Sequence, residues 1–211
     1  FSLAPRRRKP HRASRPWPLT TSSSSIRTRS CRRSKRSFRA KASSSPRPGA
    51  KQFEYGFLRS IAGKHEDFFK VTEDALVYAA EAMKLPLPPD ARQRLLGAYL
   101  SLELWPDSAA ALRKLKEAGL RIITIANFSP RMLRANAEGA GIVDLFDELL
   151  STEVNGTYKP DPRAYALGME RLGLKKEEIV FAAFGGWDAY GAKSFGYPTY
   201  WVNRFGLPVE K

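Results

Sequence analysis

Residues 121–130 have the sequence Arg-Ile-Ile-Thr-Ile-Ala-Asn-Phe-Ser-Pro. The apolar run at the start predicts a short buried strand. Ser129 and Pro130 then predict a helix, because serine caps helix N-termini and proline suits the first helical position. A second apolar run, Ile179-Val-Phe-Ala-Ala-Phe184, is followed by Gly185, Gly186 and another predicted helix. Strands that alternate with helices at this spacing are typical of an α/β fold with a parallel sheet.

Upstream of this region, residues 51–104 show helical periodicity and no strand signal. The first predicted helix spans Gln52 to Gly63, and its inward face would carry Phe53, Phe57, Leu58 and Ile61. A second helix is predicted from Asp67 to Lys84, and Asp90 is predicted to cap a third. We therefore divide the chain into a segment at 1–50, a helical unit at 51–104 and an α/β core at 105–211.

Charge is distributed unevenly along the chain. Residues 1–50 contain fifteen of the 36 Lys and Arg residues and no Asp or Glu, so the other 21 basic residues balance all 21 acidic ones. The net charge of +15 therefore belongs to the first quarter of the chain. A basic, folded nucleic-acid-binding domain is not what this distribution predicts, and we expect no nucleic-acid partner for the core.

The first fifty residues also contain twelve serines and six prolines, without helical or strand periodicity. Their apolar surface is too small to offset the entropy of ordering, so we expect disorder. Three interpretations stay open: an organelle transit peptide, a basic arm that binds RNA or anionic lipid, or a stretch translated in the wrong reading frame. We expect a cytoplasmic protein, or an organelle protein if the segment is a transit peptide.

Two further features limit the class of protein. The single cysteine, Cys31, excludes an internal disulfide framework. No stretch approaches eighteen consecutive apolar residues, so we expect no membrane-spanning helix and no membrane partner.

Polar residues follow several predicted strands. Asn127 comes directly after the first strand, Lys159 lies in a loop between Tyr158 and Pro160, and Asp188 follows the Gly-Gly turn. Each has a structural alternative: an isolated loop lysine is usually solvated, and Asp188 could simply cap a helix that begins near Ala189. Because ligands of parallel sheets bind at the carboxyl ends of the strands, we expect the three side chains to converge on one site.

The segments that carry these residues resemble motifs of a known family. Residues 126–130 (Ala-Asn-Phe-Ser-Pro), 159–165 (Lys-Pro-Asp-Pro-Arg-Ala-Tyr) and 187–197 (Trp-Asp-Ala-Tyr-Gly-Ala-Lys-Ser-Phe-Gly-Tyr) look like the second, third and fourth motifs of the haloacid dehalogenase superfamily. The resemblance is closest to the type II (S)-2-haloacid dehalogenases, and it extends over residues 51–211. It implies a Rossmann-like core with residues 51–104 inserted as a helical cap.

The resemblance also implies a reaction. In this family an aspartate on the first strand attacks C2 of a 2-haloacid, displaces halide and forms an ester that water hydrolyses. It implies that Lys159 keeps the nucleophile ionised, that Asn127 holds the substrate carboxylate, and that Asp188 orients Lys159 or the water. Apolar pocket residues would be Phe53, Phe68 and Trp187, with Tyr165 as a supporting phenol. No magnesium or other cofactor is implied, and family members often form homodimers.

The chain departs from the family pattern at the nucleophile. The first motif would fall near residue 18, in the segment that lacks Asp and Glu. Ala126 stands where serine is usual, and Ala183 and Gly185 stand where serine and asparagine are common. We therefore expect a haloacid dehalogenase-like hydrolase that is inactive as written. The alternatives are a non-catalytic relative that acts as a binding protein, and a phosphatase of the same superfamily, which the lack of paired acids in the fourth motif disfavours.

Overall fold

The computed structural model describes residues 2–5, 26–28 and 48–211. Among these, seven α-helices and seven strands follow in the order β1 (Ser2–Pro5), β2 (Ile26–Thr28), α1 (Pro48–Ile61), α2 (Phe68–Ala82), α3 (Pro89–Gly97), β3 (Leu102–Leu104), α4 (Ser108–Glu117), β4 (Leu120–Ala126), α5 (Pro130–Gly139), β5 (Glu148–Ser151), α6 (Pro162–Leu172), β6 (Val180–Ala183), α7 (Gly186–Phe195) and β7 (Thr199–Trp201). β1, β2 and the first three residues of α1 lie within the segment for which we predict disorder, and the rest of that prediction falls outside the described residues.

The central sheet has five strands in the order β5-β4-β1-β6-β7. β4 pairs in parallel with β5, and β6 pairs in parallel with β7. The predicted α/β class with a parallel sheet is therefore confirmed. β4 and β5 lie on one side of the sheet, and β6 and β7 lie on the other. α6 belongs to the connection between the two sides. The strand order thus reverses around the middle of the sheet, where ligands of such folds bind.

The middle position is filled by β1, which runs antiparallel to both neighbours. The sequence predicted no strand there, because residues 1–50 have no strand periodicity. β4 and β6 each present an unpaired backbone edge toward the middle, and a strand between them can satisfy the N–H and C=O groups of both. Position in the sheet, rather than apolar patterning, therefore accounts for this strand.

The core of the sheet is formed by side chains that alternate along β4. Ile122 packs with Leu112 of α4 and Ala137 of α5, whereas Ile123 and Ile125 belong to a second cluster beneath α6 and α7. This alternation follows the two-residue period of a strand. Helices therefore cover both faces of the sheet and leave the strand ends as the open edge.

The helical unit differs in three details from the sequence prediction. In α1 the buried residues are Gln52 and Gly56, while Leu58 and Ile61 are 53% and 86% exposed. The reason is tertiary: Gln52 donates a hydrogen bond to Thr72 Oγ1 of α2, at 2.5 Å, which turns the polar face inward. The third helix is capped by Pro88, with Asp90 in its first turn. The unit also ends in a strand, β3, which pairs with β2.

The lengths and the polarity of the helices bear on membrane insertion. In residues 2–5, 26–28 and 48–211, no helix combines the length and the apolar character that crossing a bilayer would need.

Candidate active site

Three strand-end segments meet at the open edge of the sheet. Asn127 directly follows β4, Lys159 follows β5 after a short 3₁₀ turn at Thr152–Asn155, and Asp188 lies in the first turn of α7, directly after β6. All three side chains are buried, with 7–8% of each residue exposed. Asp188 is thus not the cap of its helix, as one interpretation of the sequence allowed, because α7 begins at Gly186 with Gly185 as its N-cap.

The centre of the site is a buried ion pair. Lys159 Nζ lies 2.7 Å from Asp188 Oδ2, and the two side chains are only 8% and 10% exposed. The other carboxylate oxygen, Oδ1, accepts a hydrogen bond from the Tyr165 hydroxyl at 2.9 Å. The prediction that Lys159 reaches Asp188 is therefore met. Both oxygens of Asp188 are occupied, so its carboxylate is fixed in position between a cation and a phenol.

Tyr165 is held in a protonated state suited to this contact. It is fully buried, and this burial raises the pKa of its phenol far above the ordinary value, with the Asp188 carboxylate raising it further. Its backbone carbonyl accepts a hydrogen bond of 2.6 Å from the Tyr197 hydroxyl. Space for the phenol depends on Gly191, because a Cβ there would collide with the Tyr165 hydroxyl. Tyr165 therefore stays protonated and donates a hydrogen bond to Asp188.

Asn127 contacts the main chain of Lys159. Its Oδ1 accepts a hydrogen bond of 2.8 Å from the Lys159 N–H, and its Nδ2 donates one of 3.3 Å to the Lys159 carbonyl. The hydroxyl of Thr152, which is fully buried, donates to the same Oδ1 at 3.2 Å. These contacts join the end of β4 to the loop after β5. Asn127 and Thr152 together hold the backbone that carries the lysine.

Aromatic side chains of α1 cover the site. The ring of Phe53 lies 5.2 Å from that of Trp187, and the ring of Phe57 lies 5.8 Å from it, both in edge-on geometry. Lys159 Nζ lies 5.9 Å from the Trp187 ring centroid. Phe53 and Trp187, which the family resemblance assigns to the same pocket, are therefore in contact. Phe68 instead packs against Phe128 and Tyr158, at 5.8 and 5.3 Å, and is buried in the contact between helical unit and core.

The helical unit is joined to the core by polar contacts near Tyr158. Ser60 Oγ accepts a hydrogen bond of 2.9 Å from the Tyr158 N–H, and the Tyr158 hydroxyl donates to the Glu66 carbonyl. Glu153 Oε1 accepts from the Phe68 N–H at 2.9 Å, at the start of α2. We call these contacts the Tyr158 latch. They connect residues of one strand-end segment directly to both ends of the α1–α2 connection.

Sequence reasoning missed several residues that the fold brings to the site. Thr152, Phe57 and Tyr197 all take part in the contacts described above. Phe57 had the helical spacing from Phe53 that could have identified it, whereas no local signal distinguishes Thr152 or Tyr197 from ordinary strand-end and core residues. Over the described ranges, no group of three or more His, Cys, Asp or Glu side chains is arranged to hold a metal ion.

The α/β core thus carries a buried Lys–Asp pair at its strand ends. The sequence profile of the haloacid dehalogenase-like hydrolases matches residues 47–196, and the chain belongs to this family.

Among its relatives is the (S)-2-haloacid dehalogenase of Pseudomonas sp. (strain YL), 41% identical over 161 residues, which are 76% of this chain and 69% of the relative. The crystal structure of an L-2-haloacid dehalogenase superposes with a TM-score of 0.76 at 38% identity, covering 77% of this chain and 74% of that one. The L-2-haloacid dehalogenase from Xanthobacter autotrophicus, solved with chloropropionic acid covalently bound, superposes with a TM-score of 0.68 at 36% identity, covering 72% and 61%.

Proposed function

We propose that this chain derives its site from a hydrolytic dehalogenase of short L-2-haloacids. The observation that supports this most directly is the buried Lys159–Asp188–Tyr165 network at the strand ends, in a chain 41% identical to an (S)-2-haloacid dehalogenase. Burying charged side chains costs free energy of folding unless hydrogen bonds and opposite charges compensate them or the site serves a function. A small, carboxylate-bearing substrate fits a site that combines a cation with aromatic walls.

In the proposed reaction a carboxylate attacks C2 of the haloacid, so that a C–O bond forms while the carbon–halogen bond breaks and halide leaves. Water then adds to the ester carbonyl, the carboxylate is released, and the product is a 2-hydroxy acid of inverted configuration plus one proton. Lys159 would stabilise the negative charge of the attacking carboxylate. Asp188 would fix the lysine, and Tyr165 would fix Asp188.

The role of Asn127 in this proposal is limited by its contacts. Its Oδ1 and one N–H of Nδ2 are engaged with the Lys159 backbone, and Oδ1 also accepts from Thr152. Only the second N–H of Nδ2 is left to hold the substrate carboxylate, which the family resemblance implies. We therefore propose that Asn127 acts mainly on the position of Lys159 and contributes one donor to the substrate.

We also propose that residues 51–104 act as the cap of the site and residues 105–211 as its core. The support comes from Phe53 and Phe57, which α1 places against Trp187, and from the Tyr158 latch. An apolar cover excludes water from the lysine and the reacting carbon. Exclusion of water strengthens the electrostatic interactions within such a site.

The proposal assigns no nucleophile to the chain as written. Residues 1–50 contain no Asp or Glu, and in the described residues Asp188 is the buried carboxylate, with both oxygens engaged. Losing one electrostatic donor typically costs ~10²–10³ in rate, whereas losing the nucleophile removes the covalent route. We therefore expect no turnover from this chain, and the same observation favours a non-catalytic binding protein as the second candidate.

The test measures halide release from L-2-chloropropionate. The chain as given should release none, whereas a chain with residues 1–47 replaced by a family-like first segment, bearing an Asp-x-Tyr-Gly-Thr motif, should release halide and form D-lactate. The control carries the same segment with asparagine in place of its aspartate and should be inactive. Activity of the unmodified chain would contradict the nucleophile assignment. A folded but inactive repaired chain would favour the non-catalytic candidate.

A further inference from the structure

Tyr165 is held in place at both of its ends. Its hydroxyl donates to Asp188 Oδ1 at 2.9 Å, and its backbone carbonyl accepts a hydrogen bond of 2.6 Å from the Tyr197 hydroxyl. Its ring contacts those of Phe181 and Phe195, at centroid distances of 5.5 and 5.9 Å. A tyrosine side chain has only two side-chain torsions, and here packing of the ring restricts both. The backbone and the hydroxyl of Tyr165 therefore cannot shift independently.

Two helical glycines leave space for the two phenol hydroxyls. A Cβ built on Gly168 of α6 would lie 2.6 Å from the Tyr197 hydroxyl oxygen, closer than Cβ atoms approach other atoms in proteins. A Cβ on Gly191 of α7 would collide in the same way with the Tyr165 hydroxyl. Glycine within a helix is less favourable than alanine. Both positions therefore lower helix stability, and both provide room for a hydroxyl group that makes a hydrogen bond.

The Tyr197 hydroxyl is suited to a fixed hydrogen bond. Tyr197 is 1% exposed, and its ring stacks on that of Phe181 with an interplanar angle of 10°. Burial raises the pKa of the Tyr197 phenol, so the group stays protonated and can donate. A buried hydroxyl without its acceptor would leave a polar group unsatisfied, which costs free energy of folding. The folded core therefore favours the contact between the Tyr197 hydroxyl and the Tyr165 carbonyl.

We propose that Tyr197 is a positioning residue for Lys159. It acts through Tyr165, whose hydroxyl holds Asp188, and Asp188 Oδ2 in turn lies 2.7 Å from Lys159 Nζ. Gly168 belongs to the same arrangement, because it leaves the space that the Tyr197 hydroxyl occupies. The inference rests on the proposed function for the role of Lys159. It extends the network of the site into the core, beyond the residues that the family resemblance assigns.

The test observes the Lys159 ammonium group by ¹H–¹⁵N NMR of the full chain, with lysine labelled at Nζ. A buried, ion-paired ammonium is protected from exchange with water, and its signal is assigned by its loss in Lys159→Arg. Tyr197→Phe keeps the ring but removes the hydroxyl, and it should accelerate this exchange about three- to tenfold. Tyr200→Phe is the matched control, because Tyr200 is 51% exposed, and it should leave the exchange rate unchanged.

Further variants separate the hydrogen bond from the packing of the ring. Replacing Tyr197 with para-aminophenylalanine keeps a donor at the same position, and the Lys159 exchange rate should stay that of the parent. Replacing it with para-fluorophenylalanine fills this position without a donor and should match Tyr197→Phe. Gly168→Ala should accelerate exchange in the parent, because its Cβ displaces the hydroxyl, and should have a smaller effect in Tyr197→Phe. Gly139→Ala, whose Cβ would meet nothing within 4 Å, should have no effect.

The outcomes distinguish this inference from the proposed function. Equal exchange rates in the parent and in Tyr197→Phe would overturn the inference alone, because the measurement requires no turnover. Equal rates in the amino and fluoro variants would also overturn it, even if Tyr197→Phe failed to fold. A repaired chain that releases no halide but shows the expected exchange rates would overturn the proposed function and support the positioning of Lys159 by Tyr197.

Discussion

At the scale of single residues, the most consequential feature is the charge pair of Lys159 and Asp188. Eleven other ion pairs join side chains of the described residues, and most of these are substantially exposed. Exposed pairs contribute little to stability because water screens them and the side chains lose entropy. The buried pair behaves differently, because either partner alone would leave an uncompensated charge in the interior.

We predict that Asp188→Asn lowers the free energy of unfolding by about 3 kcal/mol or more, because Lys159 then lacks its counter-ion. The measurement is urea denaturation at neutral pH. Adding Lys159→Met to this variant should recover part of the loss, since both charges are then absent. Asp90→Asn, which breaks the exposed pair with Arg94, is the control and should leave the midpoint unchanged. An equal midpoint for Asp188→Asn and the parent would contradict the assignment.

At the scale of elements, the Tyr158 latch determines how the helical unit joins the core. Glu153 is its titratable member, and it accepts a hydrogen bond from the first residue of α2. Burial raises the pKa of the Glu153 carboxyl above its ordinary value; the Phe68 N–H opposes this, and the nearby Asp67 carboxylate adds to it. The folded state therefore binds the Glu153 proton more tightly than the unfolded chain does.

This direction predicts a pH effect with a definite sign. The stabilising contribution of the Glu153 proton is complete below the pKa of the unfolded chain and is lost as pH rises through the pKa of the folded state. Glu153→Gln keeps the acceptor for the Phe68 N–H and removes the charge. The free energy of unfolding of Glu153→Gln should therefore increase relative to that of the parent as the pH rises from 4 to 7. Glu170→Gln, at an exposed position on α6, should show no such gain. A gain in the opposite direction would refute the burial argument.

At the scale of the whole molecule, the separation of charge has a measurable consequence. The excess of fifteen positive charges belongs to residues 1–50, so retention on heparin should depend on that segment. Changing Arg6, Arg7, Arg8 and Lys9 to Gln should lower the salt concentration of elution more than four equivalent changes in the charge-balanced part. The equivalent changes are made at the exposed positions Arg113, Lys114, Lys175 and Lys193. Equal shifts for the two variants would argue against a basic segment that binds polyanions.

Most of the core elements were predictable from local pattern. β4 and α5 follow from the apolar run and the Ser129–Pro130 start signal. Errors occurred where long-range contacts compete with periodicity, as in α1, where Gln52 faces inward to reach Thr72. β1 was not predictable either, because a strand in the middle of a sheet is selected by two unpaired edges and not by its own sequence.

The sequence by itself determined the α/β class, the family and the location of Asn127, Lys159 and Asp188 at strand ends, because these depend on periodicity, capping residues and motif spacing. Only the tertiary structure decided which atoms meet. In the folded chain the two Asp188 oxygens accept hydrogen bonds from Lys159 and Tyr165, and Asn127 binds the Lys159 backbone. The indole of Trp187 packs against Gly185. The physical reason is that hydrogen bonds and close packing depend on distances of a few tenths of an ångström between segments far apart in the chain, which no local pattern encodes.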